Sequence, residues 1–224
     1  SESRINWMPY LLELNYFEDI YSNSISGKVV LSESIGLLSK TGLNGTESIK
    51  VRFKKSKDHE EYIDRTFRVF SVSDRTLSKN YSFEKYVLEF CSEELFVSEQ
   101  FRISKSYKGK IISDIIEDVM KNFLKVSGKS INIQKTTGTY DFVLPNKKIF
   151  ETINWLSSYA LPANGNVGAD MLFFETKDGF NFRSLQSMFQ GDTYATYRYE
   201  QNNLGDKQQP LEEKSLLDRK STRL

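Results

Sequence analysis

The chain has 224 residues, 38% hydrophobic and 13% aromatic, enough for one large or two small domains with β-rich cores. Thirty-one Lys and Arg against 30 Asp and Glu leave a formal net charge of +1, which excludes a global field able to hold the chain on nucleic acid or an anionic membrane and leaves only local patches. A single cysteine, Cys91, excludes disulfide frameworks and thiolate metal sites within one chain and suits a reducing cytoplasm.

Ser1 to Arg4 carry no signal-peptide pattern, and no apolar run approaches the roughly 20 residues needed to span a bilayer. From Trp7 to about Arg102 the apolar period is mostly two. Tyr10 to Leu14 and Lys28 to Leu31 are short candidate strands, and Ile49, Val51 and Phe53 alternate with Ser48, Lys50, Arg52 and Lys54 as in a strand with one buried face. Phe67 and Val69 change phase to Phe70 and Val72, which fits a bulge or a strand covered on both faces. Tyr86, Leu88 and Phe90 alternate again, and turn-rich segments including Gly42 to Gly45 separate the runs. Five or so such strands predict an antiparallel barrel or sandwich.

At Ser104 to Lys110 the composition turns polar and basic, which reads as a linker and a domain boundary. Ile112, Ile115, Ile116, Val119 and Phe123 then mark one face of a helix that Gly128 can terminate. Short strands follow near Ile131 to Ile133 and Thr139 to Val143. After Pro145, Asn146 is placed to cap a helix carrying Ile149, Phe150, Ile153, Leu156 and Ala160, ended by Pro162, Gly165 and Gly168. Met171 to Phe174 and Phe180 to Phe182 predict a hairpin turning at Asp178-Gly179. The division is therefore a β-barrel over 1–103, a small α+β domain over 104–192, and a third piece over 193–224 that is a polar linker or begins another strand near Thr193 to Glu200.

No residue pattern nominates a catalytic, cofactor or metal site. His59 sits among charges in Lys57 to Glu61 and reads as a solvated loop residue; Cys91, at a strand end, reads as a small buried hydrophobe. Gly128-Lys129-Ser130 resembles the end of a phosphate loop, but Phe123 stands where the motif needs glycine, and the order of helix and strand is reversed. Asn44-Gly45-Thr46 and Asn80-Tyr81-Ser82 match the glycosylation pattern without a secretory route. Glu93-Glu94 and Glu117-Asp118 are expected on wet helix faces, since neighbours in sequence do not face each other on a helix. Lys105, Lys108 and Lys110 around Tyr107 are expected to be solvated, and Trp155, Phe173, Phe174, Phe180 and Phe182 to be core. Exposure of Phe173, Phe180 and Phe182 would instead favour a carbohydrate- or peptide-binding module, and a cell-wall hydrolase would need two carboxylates facing across a cleft.

The segments Ile149 to Leu156 and Met171 to Leu185 together resemble the baseplate central hub subunit of T-even-like contractile-tail bacteriophages, and Gly42 to Gly45 leading into Glu47 to Phe53 is similar to the first barrel of those hubs. The likeness runs from about Ile5 to Tyr199 and extends to type VI secretion spike hub domains. It implies a tail-tube-like antiparallel β-barrel followed by a small α+β domain. It also implies a homo-trimer of non-enzymatic subunits, with no cofactor, that places six barrels in a ring and joins the trimeric cell-puncturing spike to the six-fold tail tube or its initiator proteins. DNA would pass through the channel without specific binding, with no membrane insertion, in a virion baseplate assembled in the host cytoplasm. Family members are longer than this chain, so the second barrel is expected to be absent or only begun here.

Overall fold

The computed structural model describes residues 5–42, 47–54, 62–78, 83–163 and 170–190. His59, both glycosylation-like triplets, Gly165, Gly168 and everything from Thr193 onward lie outside the described residues.

A short 3-10 turn, Met8–Tyr10, leads into β1 (Leu11–Phe17), and β2 (Ser26–Glu33) returns antiparallel to it. After the short helix α1 (Leu37–Thr41) come β3 (Ser48–Phe53), the 15-residue β4 (Ile63–Leu77) and β5 (Glu84–Cys91). The five form one antiparallel sheet in the order β1-β2-β5-β4-β3, curled into a half-barrel. Its core is what the alternation dictates: Val29, Leu31, Val51, Phe67, Val69, Tyr86, Leu88 and Phe90 all turn to the same side. The phase change in β4 is a bulge. Val69 faces Phe90 and Ser71 faces Glu89, so Phe70 is the extra residue. Phe70 and Val72 are exposed, which overturns the alternative of a strand covered on both faces.

Helix α2 (Glu93–Gln100) follows directly, then β6 (Arg102–Ile103) and β7 (Ser106–Lys110). The supposed linker is therefore largely strand: β7 pairs with β10 (Tyr140–Val143), and Ile103 already belongs to the second core together with Leu95 and Val97 of α2. Helix α3 (Ile112–Asp118) runs on into a π-helical turn, Val119–Leu124. It stops at Lys125, in the left-handed conformation with its N–H on the Met120 carbonyl, so the stop comes three residues before Gly128. The short strands β8 (Ser130–Ile133) and β9 (Thr136–Thr137) precede β10, and β11 (Lys147–Lys148) pairs with β6.

Helix α4 (Ile149–Ser157) buries Ile149, Phe150, Ile153 and Leu156 on one face. Its N-cap is Lys148, not Asn146. Asn146 has a positive φ of 52° and forms the turn before β11. The helix is over by Ser158, and Leu161-Pro162 forms β12 against β9, so Pro162 does not end it. Strands β13 (Met171–Thr176) and β14 (Gly179–Ser184) make the expected hairpin, with α5 (Leu185–Phe189) after it.

The hairpin turn lies one residue earlier than the Asp178-Gly179 pattern predicts. Thr176 pairs with Gly179, leaving Lys177 and Asp178 as the loop. Gly179 is needed for a different reason: β8 runs parallel to β14, Gly179 sits opposite Ser130, and a Cβ there would lie 2.2 Å from the Ser130 carbonyl oxygen with φ at +141°. Gly179→Ala is therefore expected to destabilise the protein by more than about 2 kcal/mol in urea denaturation. Gly128→Ala, at φ +70° in open space, is expected to cost about 1–2 kcal/mol, the left-handed penalty alone. Equal effects would contradict the close approach of β8.

Candidate functional site

The best-built polar constellation among the described residues joins the half-barrel to the α+β part. Lys129, in the turn before β8, places its Nζ 2.5 Å from Glu94 Oε2 and 2.6 Å from Glu175 Oε1. The Glu175 side chain is 1% exposed. Its other oxygen accepts a hydrogen bond from the Ile25 backbone N–H at 2.9 Å. The Lys129 ammonium also lies over the Phe180 ring, 5.4 Å from its centroid. Every charge in the cluster thus has a partner, the condition under which buried ions are tolerated.

Glu94 corrects the expectation of a wet Glu93-Glu94 pair. The two residues point in directions roughly 100° apart on α2. Glu93 stays exposed and pairs with Arg68 of β4 at 2.8 Å, whereas Glu94 is buried against Lys129. Residues 94, 129 and 175 are too far apart in sequence for any spacing rule to connect them. The one available signal was that Glu175 falls within an apolar hairpin strand.

Around this cluster the junction is stitched by backbone and amide contacts. Asn23 and Asn154 exchange side-chain hydrogen bonds at 2.9 and 2.8 Å, and Asn23 also donates to the Phe173 carbonyl at 3.0 Å. The Arg65 guanidinium of β4 donates to the Lys177 carbonyl at the hairpin tip. Ser92 N–H donates to the Ile25 carbonyl, 3.0 Å away. Cys91 lies beside the cluster, 2% exposed, and burial, with the carboxylates Glu175 and Glu94 adding to it, pushes its thiol up to about 12.

Most of the other residues singled out by sequence have structural partners. Glu117 pairs with Lys121 one turn on, and Asp118 accepts hydrogen bonds from Lys105, Tyr107 and Asn122. Burial of Asp118 raises its pKa, but those three hydrogen bonds outweigh it and hold the carboxyl below its usual range. Lys105 also lies over the Tyr107 and Phe123 rings, so it is tied in place, while Lys108 and Lys110 remain exposed on β7. Phe173 and Phe180 stack at 5.6 Å with rings 4° apart, and with Phe182 they are buried, which removes the hairpin as an exposed binding platform. Trp155 packs edge-on to Phe142 and Tyr159 at the rim of the core. The outer edges of β1 and β3 border the five-stranded sheet without a neighbouring strand among the described residues.

Lys129→Met is expected to destabilise the chain by about 3–5 kcal/mol, because two buried carboxylates lose their counter-ion. Adding Glu94→Gln and Glu175→Gln should recover part of that loss in the same denaturant titration; a neutral Lys129→Met would contradict the cluster. Because the Cys91 thiol titrates above its unfolded value of about 9, its contribution to stability is complete below that pH and falls as pH rises toward 12. Thiol labelling at pH 8 should accordingly follow global unfolding, and fast labelling of the native protein would contradict the burial.

No family model matches the sequence, and no curated protein matches it. Among solved structures, the fold is similar to the E. coli c3393 protein, a component of the type VI secretion system described as structurally similar to T4 bacteriophage tail proteins gp27 and gp5; the TM-score is 0.54 at 10% identity over 80% of this chain and 46% of that one. The tail protein from Neisseria meningitidis MC58 aligns with TM-score 0.49 and 10% identity over 77% and 46% of the two chains. The 43 kDa tail protein of prophage MuSo2 from Shewanella oneidensis aligns with TM-score 0.45 and 10% identity over 77% and 49%. The chain thus spans about half the length of each of these proteins, and its fold, a β-rich half-barrel with helices, is similar to that of part of c3393.

Proposed function

We propose that the chain is a structural subunit of a contractile phage tail, acting without catalysis as a baseplate hub that trimerises around a central channel and adapts a trimeric spike to a six-fold tube. The observation that carries this reading is the half-barrel whose two edges have no neighbouring strand among the described residues. An unpaired strand edge is a liability in a monomer and a joint in a ring, where the β3 edge of one copy meets a different edge of its neighbour. Such head-to-tail contacts close into a ring when the rotation is right. The fold similarity to a type VI secretion component described as structurally similar to phage tail proteins supports the same reading, as does the sequence resemblance to hub subunits.

The proposal keeps spike, tube and channel DNA as partners and the virion tail as the location. It assigns no chemistry to Glu94 and Glu175, the carboxylates that lie closest to a shared site, because Lys129 and the Ile25 N–H already occupy them.

Light scattering of the native assembly tests it, with a trimer as the expected mass. The edge claim has a sharper test in Lys50→Pro. Glu47 accepts from Val69 of β4, so by strand alternation the Lys50 N–H points away from β4, and proline there leaves the sheet's own ladder intact. Circular dichroism should stay unchanged while the assembly falls to monomer; a surviving trimer would exclude the β3 edge as the joint.

A further inference from the structure

One end of the half-barrel core is closed by carboxylates at positions where alternation calls for apolar residues. Glu33 follows Val29 and Leu31 in phase on β2, and Glu84 precedes Tyr86, Leu88 and Phe90 in phase on β5. The two glutamates pair directly across the ladder and are 1% and 7% exposed. Like charges opposite each other on neighbouring strands repel, so each needs its own compensation. Glu33 receives three backbone N–H groups: Ile35 and Gly36 donate to Oε2, each at 2.7 Å, and Leu37 donates to Oε1 at 2.8 Å. Glu84 Oε1 accepts from Arg75 Nε. A second bulge in β4 sets Arg75 there. Ser73 faces Val87 and Thr76 faces Lys85, so Asp74 and Arg75 together stand opposite Tyr86, with Asp74 at a φ of +51°.

Tyr86 is fully buried in this core, yet its hydroxyl has no hydrogen-bond partner among the described residues. Such a group is costly and rare in a protein interior. A tyrosine hydroxyl stands roughly 6.5 Å from its Cα, and residues i and i+2 of a strand are about 6.6 Å apart, so the hydroxyl can reach the level of the carboxylate pair. Burial, and then the negative charges of Glu33 and Glu84, hold its pKa above tyrosine's usual value, so it stays a donor. Acceptors remain for it: Glu33 spends three of its four lone-pair sites on backbone N–H groups, and Glu84 spends one on Arg75. A water molecule accepts from the hydroxyl and donates one proton to each carboxylate, which satisfies all three and sets its positive end between two like charges. A metal cation would meet the carboxylates but leave the tyrosine proton without an acceptor.

We infer that Tyr86, Glu33 and Glu84 form a binding site for one buried water molecule. Through Glu33 the water is tied to the turn that leads into α1, and through Glu84 and Arg75 to the far end of β4, so it joins both segments to the half-barrel core. The site is independent of the hub reading.

The test joins a high-resolution crystal structure of the full chain to urea denaturation of Tyr86→Phe, which removes only the hydroxyl. One ordered water is expected at about 2.5–3.0 Å from Tyr86 Oη, from Glu33 Oε1 and from a Glu84 oxygen. Tyr86→Phe is expected to lower the folding equilibrium constant about tenfold, because the water and both carboxylates lose a shared partner. A neutral or stabilising Tyr86→Phe would overturn the site, since that is the result for a hydroxyl that bonds to nothing. A direct bond from Tyr86 to either carboxylate with no water between them would also overturn it, as would a cation at about 2.3–2.6 Å from the carboxylate oxygens. Exchanging sodium chloride for tetramethylammonium chloride at equal ionic strength should leave the denaturation midpoint of the parent unchanged; a lower midpoint would mean a bound metal cation and would contradict the water.

Discussion

Glu175 is the point at which the two halves of the molecule become one. It lies on β13, in the aromatic hairpin, yet one oxygen receives the Ile25 amide just before β2 of the half-barrel and the other receives Lys129 from the turn before β8. Lys129 in turn holds Glu94 on the first turn of α2. Four segments far apart in sequence thus meet at one buried ion cluster. In a low-dielectric interior such a cluster is tolerated only when every member is satisfied, so each segment has one permitted position. Asn23 with Asn154, and Arg65 with the Lys177 carbonyl, extend the same seam along the hairpin.

A seam of this kind has a mechanical consequence for the proposed hub. Displacing one charge of a buried cluster leaves the others unpaired in an unfavourable environment. The half-barrel is therefore carried rigidly by the α+β part. The sheet edges of the described residues are thereby presented at a fixed angle, which the proposed joining of neighbours in a ring would require.

The half-barrel was legible because its signal is local. Strands β2 to β5 follow alternation that period two reveals, and even the β4 bulge shows as a change of phase between Val69 and Phe70. The hairpin was legible for the same reason, but its turn was misplaced by one residue. Asp178-Gly179 matches turn chemistry, while the glycine is required by Ser130 on a third strand that no local pattern announces. Strand β7 was hidden because Ser106 to Lys110 is polar on nearly every residue, and its pairing with β10 is a tertiary fact. The stop of the α3 helix at Lys125 follows from the π turn, which shifts the last hydrogen bonds by one residue and leaves Gly128 outside. The ion cluster was the least legible element: Glu94 and Lys129 are ordinary surface residue types, and only the fold brings them together.

The central claim is that the edges of the curled sheet are joints between subunits. Amide hydrogen exchange along β1 and β3, followed as the protein is diluted from high to low concentration, addresses it at the level of single strands. The account predicts that the outward-facing amides of Ser48, Lys50 and Arg52 are protected when the protein is concentrated and exchange freely when it is dilute, while the inward-facing amides of Ile49 and Val51 stay protected throughout. Edge amides that exchange freely at every concentration would contradict it.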